Sequence, residues 1–537
     1  MGIEEERARN LALESARSLA VLRRLIPSAP GRIPEWAKGS PPRGLIAALL
    51  AGAWDEELEG DKAALERLAG EKYEVIAGQL AHLVGVLDKP LRKVGAVWKV
   101  ASPRDAWFRI GRHISSVDFA RFEAVAHDVF SSRDPRYEMN SGDRWLASVR
   151  GVRPEYSEYL RRGLGEILIL FSLFGNQVPS VVNPAARVEN IVQKLLENAD
   201  EERWWSLSRD FQLLAEAAPE AFLSALDQEL DQHAAVTVLF GEDKGSQAGV
   251  GGEYVSNLLW ALESLAWGPQ YLGWVSIILA KLAARDPGGR YRNRPKNSLR
   301  QIFLLWLPQT FTPLDRRLHV LDRLRKIEPD SAWELMLGIL PSGHDSSTNS
   351  PHTRWRDLSV DQREDVTYPL IAKGGDEIAQ RLLADVGLNT KRWKQLIKVF
   401  QNLGPDRRAE AVQLLLNART RINDDETRVE ISAALRQLLH RHREIPEADR
   451  AVPADELDAL EEVYVALLPA DLIKRSAWLF TSHVELPRPA VKMREGKSAD
   501  KAWEADQEDA AVQRRGVVAD LLSEGGIDAI FALAQNC

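Results

Sequence analysis

Apolar residues recur at spacings of three and four along most of the chain, which is the spacing of one face of an α-helix. The segment NLLWALESLAW shows it clearly, with Leu258, Leu262, Leu265 and Ala266 in register. Nearly every segment longer than ten residues has the same period. The pattern therefore predicts a chain built mostly or wholly from α-helices.

Some of the predicted helices also carry signals for both of their ends. NDDETRVEISAALRQLLH begins with acidic residues, continues with Ile431, Leu435 and Leu438, and ends in the basic run 440–443 ahead of Pro446. Negative charge is favourable at a helix N-terminus, positive charge at its C-terminus, and proline cannot continue the helix. Such segments predict helices of roughly 10–18 residues, joined by short Pro, Gly or Asp turns.

Strand-like alternation is rare, and its best candidate is LRKVGAVWKVAS, which contains Val94, Val97 and Val100. The segment predicts a short hairpin or wing, whereas a continuous sheet has no support. Many antiparallel helices over this length indicate a stacked array rather than one bundle, without a strict repeat period. We expect an all-α fold, a degenerate helical-repeat array resembling an α-solenoid superhelix, with a winged-helix-like hairpin near residues 90–102.

Stretches rich in Pro, Gly and Ser/Thr divide the chain into five predicted segments. They are an N-terminal helix with a Pro/Gly linker (1–44), a helical, winged-helix-like domain (45–180), a helical array (181–345), a helical-repeat region (346–480), and an exposed loop with a terminal helix (481–537). The apolar helix pattern continues to Cys537, where a solenoid normally has a polar cap. We therefore expect the chain to continue in a longer protein.

Composition and charge narrow the class of protein. The chain has 537 residues, a formal net charge of -8 and a pI near 5.8, a poor overall match for nucleic acid. Cys537 is its single cysteine, which excludes an internal disulfide and a Cys-based zinc site and favours a reducing compartment. The longest apolar runs, such as EILILFSLF, are far shorter than the roughly 20 residues that span a bilayer. We expect a cytoplasmic protein with no membrane partner.

Motifs for catalysis and cofactor binding are weak. The GKS triplet at 496–498 has Val491 where a phosphate-binding loop requires glycine, and the glycine-rich GSQAGVGGEY does not match the dinucleotide-binding pattern. The histidine pairs lack partners at metal-ligand spacing, and neither a G-x-S-x-G elbow nor a Cys–His arrangement stands out. These histidines are His344, His352, His440 and His442. We expect no enzymatic activity, no cofactor and no metal.

The segment RDPGGRYRNRPKNS (285–298) is the most basic short stretch, and residues 281–326 contain twelve Lys/Arg against three Asp/Glu. A basic surface of this kind binds phosphate, nucleic acid or an acidic protein. Only one aromatic residue, Tyr291, is interleaved with the charge, and Asn297 or Ser298 is placed to cap the next helix. The pattern favours a turn between helices that also carries a basic rim. The candidate rim residues are Arg290, Arg292, Arg294 and Lys296.

A second candidate contact lies in the polar stretch PSGHDSSTNSPHTRWRD, where Arg354, Trp355 and Arg356 are adjacent. Tryptophan and arginine dominate the energetics of protein interfaces. The chain contains 16 tryptophans, most of them in apolar helical patterns where packing between helices is the favoured interpretation. We therefore treat only Arg354, Trp355 and Arg356 as candidate partner-binding residues in this stretch.

Several of these segments resemble those of a known class of proteins. The stretch from 258 to 310 contains LLWALE-LAW, DPGG, NRP-NSL and IF-LW-PQT. It resembles a segment of large bacterial STAND-type ATPases, multidomain proteins of which several serve in antiviral defence. LPSGHDSSTNSPHTRWRD and SAWLF are similar to the same helical region. LALESARSLAVLRRLIP is similar to the end of the ATPase part, and AWFRIGRHISSVDFARFEAVAHDVFSSRDPRYE follows in the same order.

The resemblance implies a role in recognition. Such ATPases carry a Walker A loop and a Walker B strand upstream, some after a nuclease or sirtuin-like effector, and the sequence contains none of these motifs. What remains resembles the helical region that recognises a trigger and controls assembly. We expect a non-enzymatic recognition and scaffold module that senses a protein, such as a phage protein, or contacts an upstream ATPase domain. The alternative is a nucleic-acid or nucleotide binder that uses the basic region 285–326.

Overall fold

A computed structural model gives the fold of most of the chain. The residues it describes are 5–15, 18–26, 33–241, 254–289, 292–343, 345–360, 363–422, 424–444, 451–481, 484–488 and 499–536. They divide into two compact units. The first comprises Met1–Phe303, Pro308–Ser331 and Thr348–Glu364, and the second comprises Leu304–Leu307, Ala332–Ser347 and Asp365–Cys537. This division is coarser than the five predicted segments, whose boundaries stay a prediction.

Helices make up most of the first unit, as the apolar period predicts. Its helices are α1 (Glu5–Glu14), α2 (Leu19–Leu25), α3 (Arg43–Ala51), α4 (Glu59–Ala69), α5 (Tyr73–Val84), α6 (Pro103–Ile110), α7 (Ser116–Ser131), α8 (Glu158–Phe174), α9 (Pro184–Leu196), α10 (Glu201–Ser206), α11 (Phe211–Ala217), α12 (Pro219–Gln232), α13 (Val255–Ala266), α14 (Leu272–Arg285), α15 (Pro295–Phe303) and α16 (Leu314–Ile327). Short 3-10 turns connect several of them.

Strands β1 (Ala53–Asp55), β2 (Leu91–Val94) and β3 (Val97–Val100) form a small antiparallel sheet in the order β1-β3-β2. The predicted hairpin is confirmed as β2 and β3, which turn at Gly95 with a left-handed φ of 59°. Strand β1 is an addition to the prediction, and it pairs Trp54 with Trp98 of β3. The order α3-β1-α4-α5-β2-β3 with this sheet is the topology of a winged-helix domain.

Two glycines, one in α8 and one directly after α3, allow the backbone of α8 to pack against the backbone of the winged-helix domain. A Cβ on Gly163 would overlap the carbonyl oxygen of Ala51, and Gly52 adopts a left-handed φ of 70° at the same contact. The buried carboxylate of Asp61 in α4 also reaches α8, accepting hydrogen bonds from the backbone N–H (2.9 Å) and the hydroxyl (2.5 Å) of Ser157, the residue that caps α8. The domain is therefore fixed to the helices that follow it.

The later helices of the first unit stack in two rows. Helix α11 packs on α13 and α13 on α15, while α12 packs on α14 and α14 on α16. Contact between each helix and the next but one is the arrangement of a two-layer helical array. The predicted all-α helical array is therefore present, with packing that repeats although the sequence has no strict period.

The second unit repeats the same arrangement. Its helices are α17 (Pro329–Ile339, which begins in the first unit), α18 (Tyr368–Val386), α19 (Thr390–Lys398), α20 (Pro405–Ala418), α21 (Asp425–Glu444), α22 (Ala454–Ala466), α23 (Leu472–Ser476) and α24 (Ala499–Asn536), the last kinked at Gly526. Helix α18 packs on α20 and α20 on α22, while α19 packs on α21. Among the described helices of both units, none is both long and apolar enough to cross a membrane.

Candidate protein-binding surfaces

The basic stretch 285–298 connects two helices, as predicted. Helix α14 ends at Arg285, and the Asp286 side chain accepts a hydrogen bond from the backbone N–H of Gly288 at 2.8 Å. Helix α15 then begins at Pro295, which puts its N-cap at Arg294, so the predicted cap at Asn297 or Ser298 is wrong by three or four residues. Proline is favoured in the first turn of a helix because its fixed φ suits the helix and its missing N–H needs no partner there.

The predicted rim residues differ in how far their side chains are exposed. Arg292 and Lys296 are exposed, whereas Arg294 is 4 % exposed and forms an ion pair with Asp286 at 3.0 Å. Arg290 lies outside the described residues. Arg294 therefore holds the connector against the end of α14, and only Arg292 and Lys296 of the described candidates offer charge to a partner.

Other cations of the basic region also serve the fold. Lys281 donates to the carboxylates of Asp227 (2.6 Å) and Asp231 (2.5 Å) on α12. Arg285 donates to the backbone carbonyl oxygen of Leu230, also on α12, at 2.9 Å. The local excess of positive charge in the sequence is thus partly neutralised inside the first unit.

The second candidate stretch lies on the first unit as a strap, which we define as residues 348–360. It has no regular secondary structure. Near its start, the indole nitrogen of Trp267 donates to the hydroxyl of Ser350 at 3.1 Å. The imidazole of His352 stacks on the Trp267 ring with 3.9 Å between centroids. These contacts fix the first part of the strap beside α13.

Glu216 of α11 holds the centre of the strap. Its carboxylate accepts hydrogen bonds from the backbone N–H groups of Arg354 (2.9 Å), Trp355 (2.5 Å) and Arg356 (2.8 Å). Three consecutive N–H groups around one carboxylate form an anion-binding concavity. Burial raises the pKa of the Glu216 carboxyl, and the three N–H donors act in the opposite direction.

The side chains of Arg354, Trp355 and Arg356 add further contacts between the strap and the first unit. Arg354 forms an ion pair with Glu166 of α8, and the Nη2 atom of Arg356 donates to the hydroxyl of Ser172, also on α8, at 3.0 Å. Trp355 is 8 % exposed, and its buried indole nitrogen contacts no hydrogen-bond acceptor within the described part of the chain. All three predicted contact residues are thus engaged with the first unit itself, and a role in binding a partner stays a prediction.

An open groove with an acidic lining lies between α9 and α12, with a volume of about 680 Å³. Its acidic residues are Glu189, Glu197, Glu220 and Glu229. Tyr271 and Trp274 line it beside glutamine side chains, and none of its lining residues in the described chain is lysine or arginine. Burial and the charge of Glu220 raise the pKa of Glu189, while the positive charge of Arg356 lowers it. We call this cavity the acidic groove.

A second groove, which we call the α2–α5 groove, has a volume of about 630 Å³. Its apolar lining includes Ile33, Val86 and Leu87, all exposed, with Leu87 completely accessible. Trp36 also lines this groove, and its indole nitrogen is buried without a hydrogen-bond partner among the described residues. Arg24 stabilises the groove by pairing with Asp88 (2.6 Å).

Helix α5 occupies the position that contacts DNA in helix-turn-helix proteins, where basic residues neutralise phosphates. Its sequence, YEVIAGQLAHLV, contains neither lysine nor arginine. Its exposed residues include Glu74 and Val75, and Leu87 follows shortly after its end. The exposed side chains of α5 thus include Glu74, Val75 and His82, and the exposed Lys72 precedes the helix as its N-cap.

The histidine candidates do not form a metal site in the part of the chain that the structure describes. Cation-binding clusters of His, Cys, Asp and Glu are absent from those residues. His440 contacts the carbonyl oxygen of Leu486 through Nδ1 at 2.9 Å, and His442 accepts a hydrogen bond from the backbone N–H of Val452 at 3.3 Å. His344 and the GKS triplet at 496–498 lie outside the described residues.

Two buried titratable groups have pKa values far from their ordinary ones. Burial raises the pKa of Glu263 in α13 to about 7. Burial lowers the pKa of His442 in α21 to about 4, and the charges of Arg441 and Arg408 act in the same direction. Neither group lines the acidic groove or the α2–α5 groove.

Comparisons with known proteins do not assign the chain to a protein family. Neither a protein-family model nor a curated protein matches it. A crystal structure of an engineered protein from the Northeast Structural Genomics Consortium aligns with 99 % of this chain and 98 % of its own, at 13 % identity and a TM-score of 0.21. A TM-score this low carries no argument about fold or function.

Proposed function

We propose that the chain is a non-enzymatic protein-recognition and scaffold module, and that the α2–α5 groove is one of the surfaces with which it binds a protein. The observation that carries this proposal is an apolar groove beside a winged-helix α5 that has no lysine or arginine. Exposed apolar side chains lining a concave surface are a common feature of protein interfaces.

The chemistry of the groove defines its partner. Ile33, Val86 and Leu87 offer apolar contacts to a partner. A peptide segment that inserts large apolar side chains suits such a lining. Such a segment belongs to a protein, and its binding would bury the three apolar residues together.

The resemblance to STAND-type ATPases supports a more specific version of this proposal. In that version the module works in the bacterial cytoplasm, senses a protein trigger such as a phage protein, and is attached to an ATPase whose assembly it controls. Binding would act by favouring one state of the attached ATPase, which requires different affinities for its resting and assembled states. The sequence motifs at 258–310 are the support for this part of the proposal.

Nucleic-acid or nucleotide binding through residues 285–326 remains the second candidate. The exposed Arg292 and Lys296 favour it. The internal ion pairs of Lys281 and Arg294 weaken it, because charge that is neutralised inside the fold contributes little to phosphate binding.

Site-specific photo-crosslinking in bacterial cells tests the proposal. A photoreactive amino acid at Leu87 is expected to give a discrete crosslinked protein, with or without phage infection, and the second substitution Val86→Asp is expected to remove it. Val182 is the matched control, because it is an exposed apolar residue of the first unit outside the α2–α5 groove. Crosslinks of equal strength from both positions, or none from Leu87, would contradict the proposal.

Binding to labelled DNA and RNA at low salt distinguishes the second candidate. Affinity that falls steeply with salt, and falls again in the double variant Arg292→Gln, Lys296→Gln, would support nucleic-acid binding in place of the α2–α5 groove.

A further inference from the structure

The strap is bound to the first unit much as a separate peptide would be. Residues 348–360 have no regular secondary structure, and their central contacts are backbone N–H groups and arginine side chains. Extended peptides bind proteins through this same combination, in which main-chain hydrogen bonds give affinity and side-chain pockets give specificity. The binding surface consists of Glu166 and Ser172 on α8 and Glu216 on α11.

The strap does not satisfy this surface completely. The indole nitrogen of Trp355 is buried and has no acceptor among the described residues. The Glu216 carboxylate is buried too, and the desolvation of a charged group opposes the hydrogen bonds that the strap donates to it. Both features reduce the net free energy with which the strap is held.

The acidic groove continues the same surface and remains open. The guanidinium of Arg356 lies near enough to the groove to influence Glu189, and Gln270 lines both the groove and the hollow that contains Asp357. The strap places no basic side chain in the groove itself, since no lysine or arginine is among the described lining residues. A segment with one more cation than the strap would gain contacts there that the strap lacks.

We propose that the surface formed by α8, α11 and the acidic groove is a binding site for an extended Arg-aromatic-Arg segment of another protein, and that the strap occupies it as an exchangeable internal ligand. The partner segment carries at least one further lysine or arginine, which lies in the acidic groove. It binds by displacing the strap. This site is separate from the α2–α5 groove, so either proposal can fail while the other stands.

Fluorescence anisotropy with labelled peptides tests the exchange. The strap peptide TNSPHTRWRDLSV is expected to bind the full chain carrying Arg354→Ala and Arg356→Ala at least tenfold more tightly than it binds the unaltered chain, because the weakened strap no longer competes. The peptide with Asp357→Lys is expected to bind more tightly still, with a steeper salt dependence. Glu189→Gln and Glu220→Gln in the chain should remove most of that gain, and should weaken binding of the original peptide only slightly, because Arg356 of that peptide lies near Glu189 but outside the groove lining.

A scrambled peptide of the same composition is the specificity control. Binding of the scrambled peptide with equal affinity, or no binding of the strap peptide to a variant that unfolds at the same temperature as the unaltered chain, would overturn the proposal.

Hydrogen exchange on the unaltered chain tests the proposal without any substitution. The amides of Arg354, Trp355 and Arg356 are expected to exchange at least tenfold faster than the central amides of α8, and excess Asp357→Lys peptide is expected to accelerate them further. Exchange of the strap amides only together with α8 would mean that the strap is a fixed part of the fold, and the proposal would fail.

Discussion

The carboxylate of Glu216 lies 2.5 Å from the backbone nitrogen of Trp355, although 139 positions separate the two residues in the sequence. The same carboxylate also accepts from the N–H groups on either side of Trp355. One buried carboxyl group thus fixes three consecutive backbone positions of the strap. The stability of this contact depends on the charge and shape of a single side chain.

Glu216→Gln is expected to destabilise the first unit by about 2 kcal/mol or more, because hydrogen bonds to a charged acceptor are lost and an amide N–H group meets backbone donors. Urea unfolding followed by circular dichroism measures the change. Glu220→Gln is the matched control, since Glu220 is exposed in the next helix and its substitution should stay within about 0.5 kcal/mol. Equal effects of the two substitutions would show that the Glu216 contacts contribute little.

Glu263 predicts a dependence of stability on pH. Its folded pKa of about 7 lies above the ordinary value of 4.5, so the folded state retains a proton that the unfolded chain releases. The resulting stabilisation is complete below the unfolded pKa of 4.5, and it is lost as the pH rises through the folded pKa of about 7. The free energy of unfolding changes by about 3 kcal/mol over this range. Glu263→Gln imitates the protonated acid and should remove this dependence.

Thermal unfolding at roughly pH 5 and pH 8 checks the expectation for Glu263. The comparison of Glu263→Gln with the unaltered chain isolates this group from His442, whose lowered pKa acts with the opposite sign and removes stability as the pH falls from 6.5 towards 4. If the variant and the unaltered chain lose stability in parallel between the two conditions, Glu263 is ionised in the fold already at the lower pH.

The contact between Gly163 and Ala51 predicts a large effect of a single methyl group. Gly163→Ala should destabilise the protein by about 3 kcal/mol, because the added Cβ would overlap a backbone oxygen that side-chain rotation cannot relieve. Gly78→Ala in α5 is the control, since nothing lies within 4 Å of its Cβ position, and we expect it to stabilise α5 by about 0.5–1 kcal/mol. Guanidinium unfolding measures both, and a well-tolerated Gly163→Ala would contradict the close packing of α3 on α8.

The two kinds of arginine in the connector should respond differently to neutralisation. Arg294→Gln is expected to cost about 3 kcal/mol, because it leaves the nearly buried Asp286 carboxylate without its ion-pair partner. Arg292→Gln should change stability by less than about 0.5 kcal/mol, since Arg292 is exposed. Thermal unfolding of the two variants measures the difference in stability. If Arg294→Gln leaves the stability unchanged, Arg294 is again a candidate for ligand binding.

The fold was predictable where its signals are local. The 3.6-residue period marks α13 and α21, and the alternation around Gly95 marks the hairpin of β2 and β3. Strand β1 escaped prediction because three residues are too few to show alternation, and its pairing depends on Trp98 more than 40 positions away. The start of α15 escaped because Pro295 and Asn297 are both plausible at a helix N-terminus, and only packing decides between them.

The candidate surfaces were less predictable, because they depend on contacts between distant segments. Arg354, Trp355 and Arg356 were found from their residue types, but Glu216 has the local sequence of an ordinary acidic position on a helix. Its burial requires the strap to return across α11, which no local pattern shows. The acidic groove likewise appears only when α9 and α12 lie side by side.

The pairing of Trp54 on β1 with Trp98 on β3 gives the winged-helix domain a spectroscopic signal. The two indole rings stack almost in parallel, with an interplanar angle of 4° and 5.6 Å between centroids. At this separation their electronic transitions couple, whereas tryptophans farther apart absorb independently. A change in the circular dichroism of this pair would report on the pairing of β1 with β3.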